Sequence, residues 1–244
     1  MRVAAFQSPV LTQNRLEVIE LIRRRVRQCE ANGISVLCCA EAILGGLADF
    51  NDNPSRLAIQ TVQLASVLMP LASETVTSIL GFTELGGDGA LYNAAAVFQR
   101  GCVTGVYRKI HPAIRRSLYA AGCETPVFRA GELTFGIVIC NDSNYLDLAG
   151  RMKAQGAMAL FIPTNNSLPN ERASLALNAS ARSTDILLAT ENRTWVIRAD
   201  VVGRNSTLTS FGCSEIVTPQ GKVVQEARLH EPDLLVADID VEND

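Results

Sequence analysis

The sequence lacks the features that would assign it to several specialised classes of protein. All its apolar runs are far shorter than the roughly 20 residues that a membrane-spanning helix needs. It holds no G-x-G-x-x-G or P-loop pattern, so nothing in it supports nucleotide binding. The formal net charge is only -3, which gives no electrostatic attraction to nucleic acid or to an anionic membrane. We therefore expect neither nucleic acid nor a membrane among its partners.

The cysteines also make two kinds of site improbable. There are seven, an odd number, and none lies in a CxxC pair, which disfavours a disulfide framework or a zinc ribbon. On a strand, the adjacent Cys38 and Cys39 would point to opposite faces and would not easily chelate one ion. Residues 1–6 show no export signal. These features predict a protein of the reducing cytoplasm. Five of the thiols fall within periodic elements and are expected in the core: Cys29, Cys38, Cys39, Cys102 and Cys213.

An apolar content of 48% with 19% charged residues is ordinary for a globular protein. No linker rich in proline, serine or glycine divides the chain, so we predict one domain over residues 1–244. Apolar runs typical of strands alternate with segments of helical periodicity, which indicates an α/β layered domain with a mixed sheet. The predicted helices cover residues 14–32, 54–71, 145–155 and 172–189. The predicted strands cover residues 3–6, 34–40, 78–82, 93–97, 103–107, 133–139, 158–162, 195–200, 212–218, 222–225 and 234–239.

The segment 133–163 is the most informative part of the chain, and Cys140 is its centre. Its pattern is strand, sharp turn, helix and strand, with the thiol at the exit of the first strand. The free N–H groups at the start of the next helix favour negative charge, which suits both a thiolate and an oxyanion. A buried cysteine at a strand end is also a common inert core residue. This segment alone therefore leaves the role of Cys140 open.

Two more reactive side chains follow predicted strands, namely Glu41 and Lys109. In open α/β sheets, sites lie outside the carboxyl ends of strands, so the three exits can converge. Proton transfer from a free thiol to a free carboxylate is uphill by ~4 pKa units. Burial of the carboxylate and an ammonium group beside the sulfur would close this gap. Glu41 would then carry the thiol proton to a departing amine, while Lys109 and the backbone N–H of Asn141 hold the oxyanion.

At these residues the sequence resembles the nitrilase superfamily of carbon–nitrogen hydrolases. The matching segments include VAAFQ at 3–7, CAE at 39–41, YRKIHP at 107–112, ICND at 139–142 and SEIVTPQG at 214–221. The resemblance implies an αββα sandwich with mixed sheets and a Glu–Lys–Cys triad at Glu41, Lys109 and Cys140. It implies no metal and no organic cofactor. It also implies a homodimer, or a higher homo-oligomer, in which helices pack on helices.

The residues after the cysteine narrow the expected reaction. Cys140 is followed by Asn-Asp-Ser-Asn-Tyr, which is similar to the amidase and N-carbamoyl amidohydrolase branches, whereas true nitrilases usually carry Trp-Glu there. We therefore expect an enzyme that cleaves a small linear amide or an N-carbamoyl compound through a thioester and releases ammonia. Six residues are candidates for substrate binding because they follow a catalytic strand or the lysine motif: Tyr145, Thr164, Asn165, Asn166, Arg115 and Arg116. An arginine in the loop beside the lysine would suit a substrate carboxylate.

Three other interpretations stay open at this point. A nitrilase would convert a nitrile to the acid. A catalytically silent relative would bind a ligand or a partner, because the second glutamate that many members carry after the lysine motif is missing. Its counterpart falls in residues 114–117, at about Ser117, where no acidic residue is present, and the only acidic residues between Lys109 and Cys140 are Glu124 and Glu132. A Cys–His enzyme would use His111, which lies on a motif where histidine is usually structural.

Overall fold

A computed structural model describes residues 1–10, 14–45, 54–113, 118–168, 171–204 and 208–241. Within these residues the α-helices are α1 (Arg15–Ala31), α2 (Thr61–Leu68), α3 (Leu146–Ala154) and α4 (Glu171–Asn192). The strands are β1 (Arg2–Pro9), β2 (Val36–Cys38), β3 (Ile59–Gln60), β4 (Thr77–Leu85), β5 (Leu91–Gln99), β6 (Cys102–Arg108), β7 (Val127–Ala130), β8 (Leu133–Ile137), β9 (Ala159–Pro163), β10 (Trp195–Ala199), β11 (Val201–Arg204), β12 (Thr209–Phe211), β13 (Glu215–Val217), β14 (Val223–Glu226) and β15 (Asp233–Asp238). None of the described helices is both long and apolar enough to cross a membrane.

These strands form two mixed sheets. The first has the order β12-β11-β1-β2-β4-β5-β6, with β15 added beside β1 and β3 beside β4. The second has the order β14-β13-β10-β9-β8-β7. At the centre of the first sheet β1, β2 and β4 are parallel, and at the centre of the second β8, β9 and β10 are parallel. Strand β6 runs antiparallel to β5, which runs antiparallel to β4, so β2 and β6 end at the same edge.

The side chains of the first sheet divide between two cores. In β1, Val3 and Ala5 face the core between the two sheets, whereas Ala4 and Phe6 pack beneath α1 and α2. Cys38 and Cys39 divide in the same way, as predicted for adjacent residues on a strand. The core between the sheets continues through the second sheet to α3 and α4, where Leu188 is buried. The layers are therefore helix, sheet, sheet and helix, and the predicted αββα sandwich is confirmed.

The helix predicted over residues 54–71 is wrong in its first half. Pro54–Arg56 forms a single 3₁₀ turn, Ile59–Gln60 pairs with β4, and the α-helix begins only at Thr61. The carbonyl of Leu57 accepts a hydrogen bond from Arg15 Nη2 at 2.7 Å instead of a bond within a helix. Tertiary contacts therefore override the helical periodicity here. The sequence analysis also does not predict the short strands β7, β11 and β12, which carry too few residues for a clear pattern.

Candidate active site

Glu41 lies in the turn that directly follows β2, and its side chain is buried. Two close backbone approaches fix this turn. The Glu41 N–H donates to the Thr164 carbonyl at 3.2 Å, which joins the first sheet to the turn after β9 in the second. On the other side, β4 passes so near that a Cβ atom at Gly81 would lie 2.4 Å from the Ala42 nitrogen. Only glycine fits at this position without displacing the turn that carries Glu41.

Both carboxylate oxygens of Glu41 accept hydrogen bonds. Oε1 accepts from Lys109 Nζ at 2.6 Å and from Asn93 Nδ2 at 2.7 Å. Oε2 accepts from the backbone N–H of Asn165 at 3.1 Å. The carboxylate is therefore fixed in one orientation between the lysine and the strand exit that follows β9. The sequence analysis does not identify Asn93, because an asparagine within a predicted strand gives no sign of a functional role.

Lys109 follows β6 and is buried with its ammonium group against Glu41. Its backbone N–H donates to the Asn93 carbonyl at 2.8 Å, and its carbonyl accepts from the Gly122 N–H at 2.8 Å. Burial pulls the pKa of Lys109 down, but the negative charges of Glu41 and of the Cys140 thiolate outweigh burial and raise it above its usual value. Lys109 is therefore a fixed cation at the site.

Cys140 begins a 3₁₀ turn, Cys140–Asn144, immediately after β8. Its φ angle is +46°, in the left-handed region that residues other than glycine seldom adopt. Its Sγ atom lies 3.8 Å from Asn166 Oδ1. Burial, followed by the charge of Glu41, raises the pKa of the thiol to about 12, although Lys109 and Arg198 act in the opposite direction. The thiol is therefore protonated at neutral pH, and a base must accept its proton if the sulfur is to attack.

Asp142 connects the lysine segment to the Cys140 turn. It is fully buried. Its Oδ1 accepts from the backbone N–H of His111 at 2.7 Å, and its Oδ2 accepts from Tyr107 Oη at 2.7 Å and from the Ile139 N–H at 3.2 Å. Sequence reasoning missed this role, although an aspartate two residues after a strand-end cysteine is well placed to bind free N–H groups of a turn.

The side chain of His111 stacks on Tyr145, with 3.4 Å between ring centroids and 14° between the planes. Its carbonyl accepts from Asn141 Nδ2 at 3.0 Å. These contacts place His111 as a support for the residues that follow Cys140. They match the structural role expected for a histidine of this motif. Tyr145 itself is 37% exposed and is available on its other side to a ligand.

The turn after β9 contributes three of the predicted binding residues in different ways. Asn165 is half-buried and donates its backbone N–H to Glu41. Asn166 is buried beside Cys140. Thr164 is fully buried, and its hydroxyl oxygen accepts from Arg198 Nη1 at 2.7 Å. Its side chain therefore lies behind the site and supports it.

Of the remaining residues singled out from the sequence, only Glu124 lies within the described structure. Arg115, Arg116 and Ser117 lie outside the residues that the structure describes. Glu124 is exposed and lines a cleft of about 350 Å³ together with Glu84 and Arg108. Because Arg108 and Lys109 are adjacent at the end of a strand, their side chains point to opposite faces, and this cleft is separate from the Glu41 pair.

A second thiol approaches the site from the other side of Asn166. Asn166 Nδ2 donates to Cys213 Sγ at 3.0 Å, and Cys213 Sγ donates to Asp200 Oδ2 at 3.0 Å. Cys213 is only half-buried, so its prediction as a core residue is wrong, as it is for the exposed Cys102. Cys29, Cys38 and Cys39 are buried as predicted.

The site therefore combines a buried carboxylate, a fixed ammonium group and a protonated thiol at the ends of three strands. Among the described residues, no group of three or more histidine, cysteine or acidic side chains is arranged to hold a metal ion. A carboxylate that can accept a proton, beside a thiol and a cation, is suited to acyl transfer from nitrogen to sulfur and then to water.

Comparison with known sequences matches the chain to one protein family. A model of the carbon-nitrogen hydrolase family matches residues 2–243. An N-carbamoylputrescine amidase of Oryza sativa subsp. japonica is 27% identical over 254 residues, which cover 93% of this chain and 81% of that protein. A nitrilase of Pyrococcus abyssi is 29% identical over 182 residues, which cover 73% of this chain and 65% of that protein. The chain thus spans slightly less than two thirds of that nitrilase.

Comparison with solved structures gives the same fold. An amidase from Nesterenkonia sp. AN1, captured after Michael addition of acrylamide at its active-site cysteine, has a TM-score of 0.81 at 20% identity. The match covers 99% of this chain and 94% of that one. Nit3 of Saccharomyces cerevisiae, a member of branch 10 of the nitrilase superfamily, has a TM-score of 0.80 at 18% identity, over 97% of this chain and 89% of that one.

Proposed function

Because the chain belongs to the carbon-nitrogen hydrolase family, we propose that it hydrolyses the C–N bond of a small linear amide or an N-carbamoyl compound and releases ammonia. One observation carries this proposal: the buried Glu41 carboxylate holds Lys109 Nζ at 2.6 Å and the Asn165 N–H at 3.1 Å beside the Cys140 turn. Glu41 would be the general base, Lys109 the oxyanion cation and Cys140 the nucleophile.

The proposed reaction begins with proton transfer from Cys140 Sγ to Glu41 as the sulfur attacks the carbonyl carbon. A base is needed because a thiol with a pKa of about 12 is almost wholly protonated at pH 7. The carbonyl π electrons move to oxygen, where Lys109 and the Asn141 N–H stabilise the charge. The C–N bond then breaks, Glu41 returns the proton to nitrogen, and ammonia leaves. Water attacks the remaining thioester with Glu41 again as base, which frees the acid and the thiol.

An amide is favoured over a nitrile by the residues that follow Cys140 and by the names of the relatives. Asn141 stands where true nitrilases usually carry tryptophan, and the Oryza relative is an N-carbamoylputrescine amidase. The Pyrococcus relative is a nitrilase, so nitrile hydrolysis is the second candidate. The two reactions are separated by whether a nitrile yields the acid.

The test is ammonia release from short aliphatic amides, ω-amides, N-carbamoyl amino acids and nitriles. We compare wild type with Cys140→Ala and with Cys102→Ala, which removes an exposed thiol on β6 as a matched control. Amide turnover in wild type and Cys102→Ala but not in Cys140→Ala, with an acyl adduct on Cys140 by mass spectrometry, is the expected result. Turnover of nitriles alone would make the protein a nitrilase. No turnover and no adduct in a folded protein would make it a binding protein.

We also propose that the chain forms a homodimer through its outer helices. Helix α4 exposes Leu175, Leu177 and Leu187, and α3 exposes Leu146, on the side away from the core. Burial of these exposed leucines against a second copy would remove apolar area from water, which favours association. Leu175→Glu together with Leu187→Glu should convert a dimer to a monomer in analytical ultracentrifugation. A monomeric wild type would contradict the proposal.

We place the enzyme in the cytoplasm. All seven cysteines are unpaired, which is the usual state in a reducing compartment. Cell fractionation with an antibody to the chain tests this, and recovery in a secreted or periplasmic fraction would contradict it.

A further inference from the structure

Arg198 is the largest of the fully buried side chains of the described structure, and the reaction above does not use it. It lies on β10, where it is paired in register with Ile162 on β9 and Glu215 on β13. Its guanidinium binds the fully buried Asp185 of α4 through Nε at 2.5 Å and through Nη2. A buried ion pair of this kind is often no more stabilising than apolar residues of the same volume. Stability alone therefore does not explain its presence behind the site.

The other guanidinium donors reach the two turns that carry reactive residues. Nη2 donates to Ser143 Oγ at 3.2 Å, and Ser143 Oγ in turn donates to the Cys140 carbonyl at 2.7 Å. Nη1 donates to the Thr164 hydroxyl oxygen. The backbone carbonyl of the same residue accepts from the Glu41 N–H. One planar cation thus joins the nucleophile's turn to the turn that orients the base.

The nucleophile's turn needs such support. Cys140 is in the left-handed region at φ +46°, which is strained for a non-glycine residue and persists only where the surroundings fix it. Asp142 binds the N–H groups on one side of the turn. Ser143 binds the carbonyl of Cys140 itself, and Arg198 fixes the Ser143 oxygen.

Arg198 also acts on the thiol through its charge. The guanidinium lowers the pKa of Cys140, as Lys109 does, against the opposing effects of burial and of Glu41. Asp185, Asp200 and Glu215 are the acidic groups that interact with Arg198, and Cys213 is the other thiol near it. Asp185 is the one to which the guanidinium donates directly.

We propose that Arg198, held by Asp185, is a positioning residue for Cys140, which it serves by fixing the Cys140 turn through Ser143 and by stabilising the thiolate from behind. This inference rests on the proposed role of Cys140 as nucleophile. It assigns no contact with the substrate to Arg198.

The test measures the alkylation rate of Cys140 with iodoacetamide at pH 8, read by peptide mass spectrometry, together with thermal unfolding. The main variant is the double substitution Arg198→Met and Asp185→Leu, which removes both charges and leaves neither unpaired. Arg2→Met with Asp238→Leu removes an exposed Arg–Asp pair of the first sheet and is the matched control. Arg198→Lys keeps the charge and loses the planar fork.

We expect the folded double variant to be alkylated about tenfold more slowly, which corresponds to a rise of about one unit in the thiol pKa. The control pair should react at the wild-type rate, and Arg198→Lys should stay within about threefold of wild type because its charge remains. A folded double variant that reacts at the wild-type rate overturns the proposal. A purely structural residue would change the unfolding temperature and leave the alkylation rate unchanged.

If the double variant does not fold, the single substitution Ser143→Ala tests the proposal instead. This variant keeps both charges and removes only the hydroxyl between Arg198 and the Cys140 carbonyl. We expect slower alkylation in a protein that still folds, and a lower kcat with KM unchanged on any amide that is turned over. Wild-type alkylation in Ser143→Ala would then overturn the proposal. Alkylation needs no substrate, so the rates of the variants can be compared even if the protein releases no ammonia. A failure to release ammonia would therefore contradict the proposed reaction but not the role of Arg198.

Discussion

Two buried ion pairs lie close to the Cys140 turn, and they differ in how many of their N–H donors are bound by protein atoms. In the first pair Lys109 Nζ donates to Glu41, and among the described residues no other group accepts from it. In the second pair Arg198 uses four of its five N–H donors, two on Asp185 and one each on Ser143 and Thr164. The lysine keeps donors for a ligand, whereas the arginine directs its donors into the protein.

Under the proposed reaction, this difference separates a pair that performs chemistry from a pair that fixes geometry. Both are buried and both carry opposite charges, so burial and charge do not distinguish them. The unused N–H donors distinguish the two pairs, because an oxyanion needs donors that are not already bound to a protein atom. On this basis, breaking the first pair should affect mainly the rate of the reaction, whereas breaking the second should affect both stability and the reactivity of Cys140.

The largest effect is expected from Glu41→Gln. It removes the base and leaves the charge of Lys109 without its carboxylate partner. We expect kcat for ammonia release to fall by about 10²–10⁴-fold, the range for loss of a general base. Glu124→Gln, at an exposed carboxylate of the separate cleft, is the matched control and should leave kcat unchanged. Wild-type turnover in Glu41→Gln would contradict the assignment and would favour a mechanism through His111.

Asp185→Leu should break the second pair and destabilise the fold. It leaves the Arg198 guanidinium buried without a counter-charge, which costs about 3–5 kcal/mol in comparable buried pairs. Urea unfolding measures this loss, and the additional change Arg198→Met should restore most of it. A single variant as stable as wild type would mean that Arg198 does not depend on Asp185.

A smaller effect concerns Glu215, next to the second pair. Burial and the charge of Asp185 raise its pKa to about 7, against the opposing effect of Arg182. An unfolded glutamate titrates near 4.3, so between these values the folded state binds more protons than the unfolded state. The contribution of this group to the unfolding free energy should therefore be highest below pH 4.3, should fall as the pH rises from there to about 7, and should then level off.

Urea unfolding at several pH values tests this dependence. Glu215→Gln cannot ionise and should give a flatter profile between pH 5 and 8 than wild type. Asp142 and Asp200 also have raised pKa values from burial, so the comparison must be made between variants and not with an ideal flat line. Equal slopes in the two proteins would contradict the titration of Glu215.

The smallest effect is expected at the exposed pair Arg151–Asp147 on α3, which provides the baseline. Both side chains are largely in water, where an ion pair contributes little to stability. Arg151→Gln should leave the urea midpoint unchanged within experimental error. A clear loss of stability would mean that exposed and buried ion pairs of this protein contribute more similarly to stability than their burial indicates.

The sequence predicts the proximity of the three candidate residues because their positions depend on local order. Glu41, Lys109 and Cys140 each follow a strand with a clear apolar pattern, and parallel strands end at one edge of a sheet. The structure brings Glu41 and Lys109 to 2.6 Å and places the Cys140 turn beside them. The alternation of strands and helices predicts an α/β layered domain with a mixed sheet, and the resemblance to the nitrilase superfamily adds the αββα order of the layers.

The supporting network could not be predicted in the same way. Arg198 and Asp185 lie on a strand and a helix, and neither periodicity nor composition tells a buried charge from an exposed one. Cys213 has an apolar strand context, yet the turn at Gly212 brings it to the site. These positions depend on contacts between elements, which only the assembled sheets determine.

The pairing of β1 with β15 has a consequence for how the protein is made. Residues 2–7 pair in antiparallel register with residues 233–238, and the Arg2 side chain binds Asp238 across a separation of 236 residues. A ribosome adds about 5–20 residues per second, so β1 waits for tens of seconds with one edge open before its neighbour exists. We expect nascent chains that stop before residue 233 to need a chaperone over that edge, because an unpaired strand edge invites association with other chains.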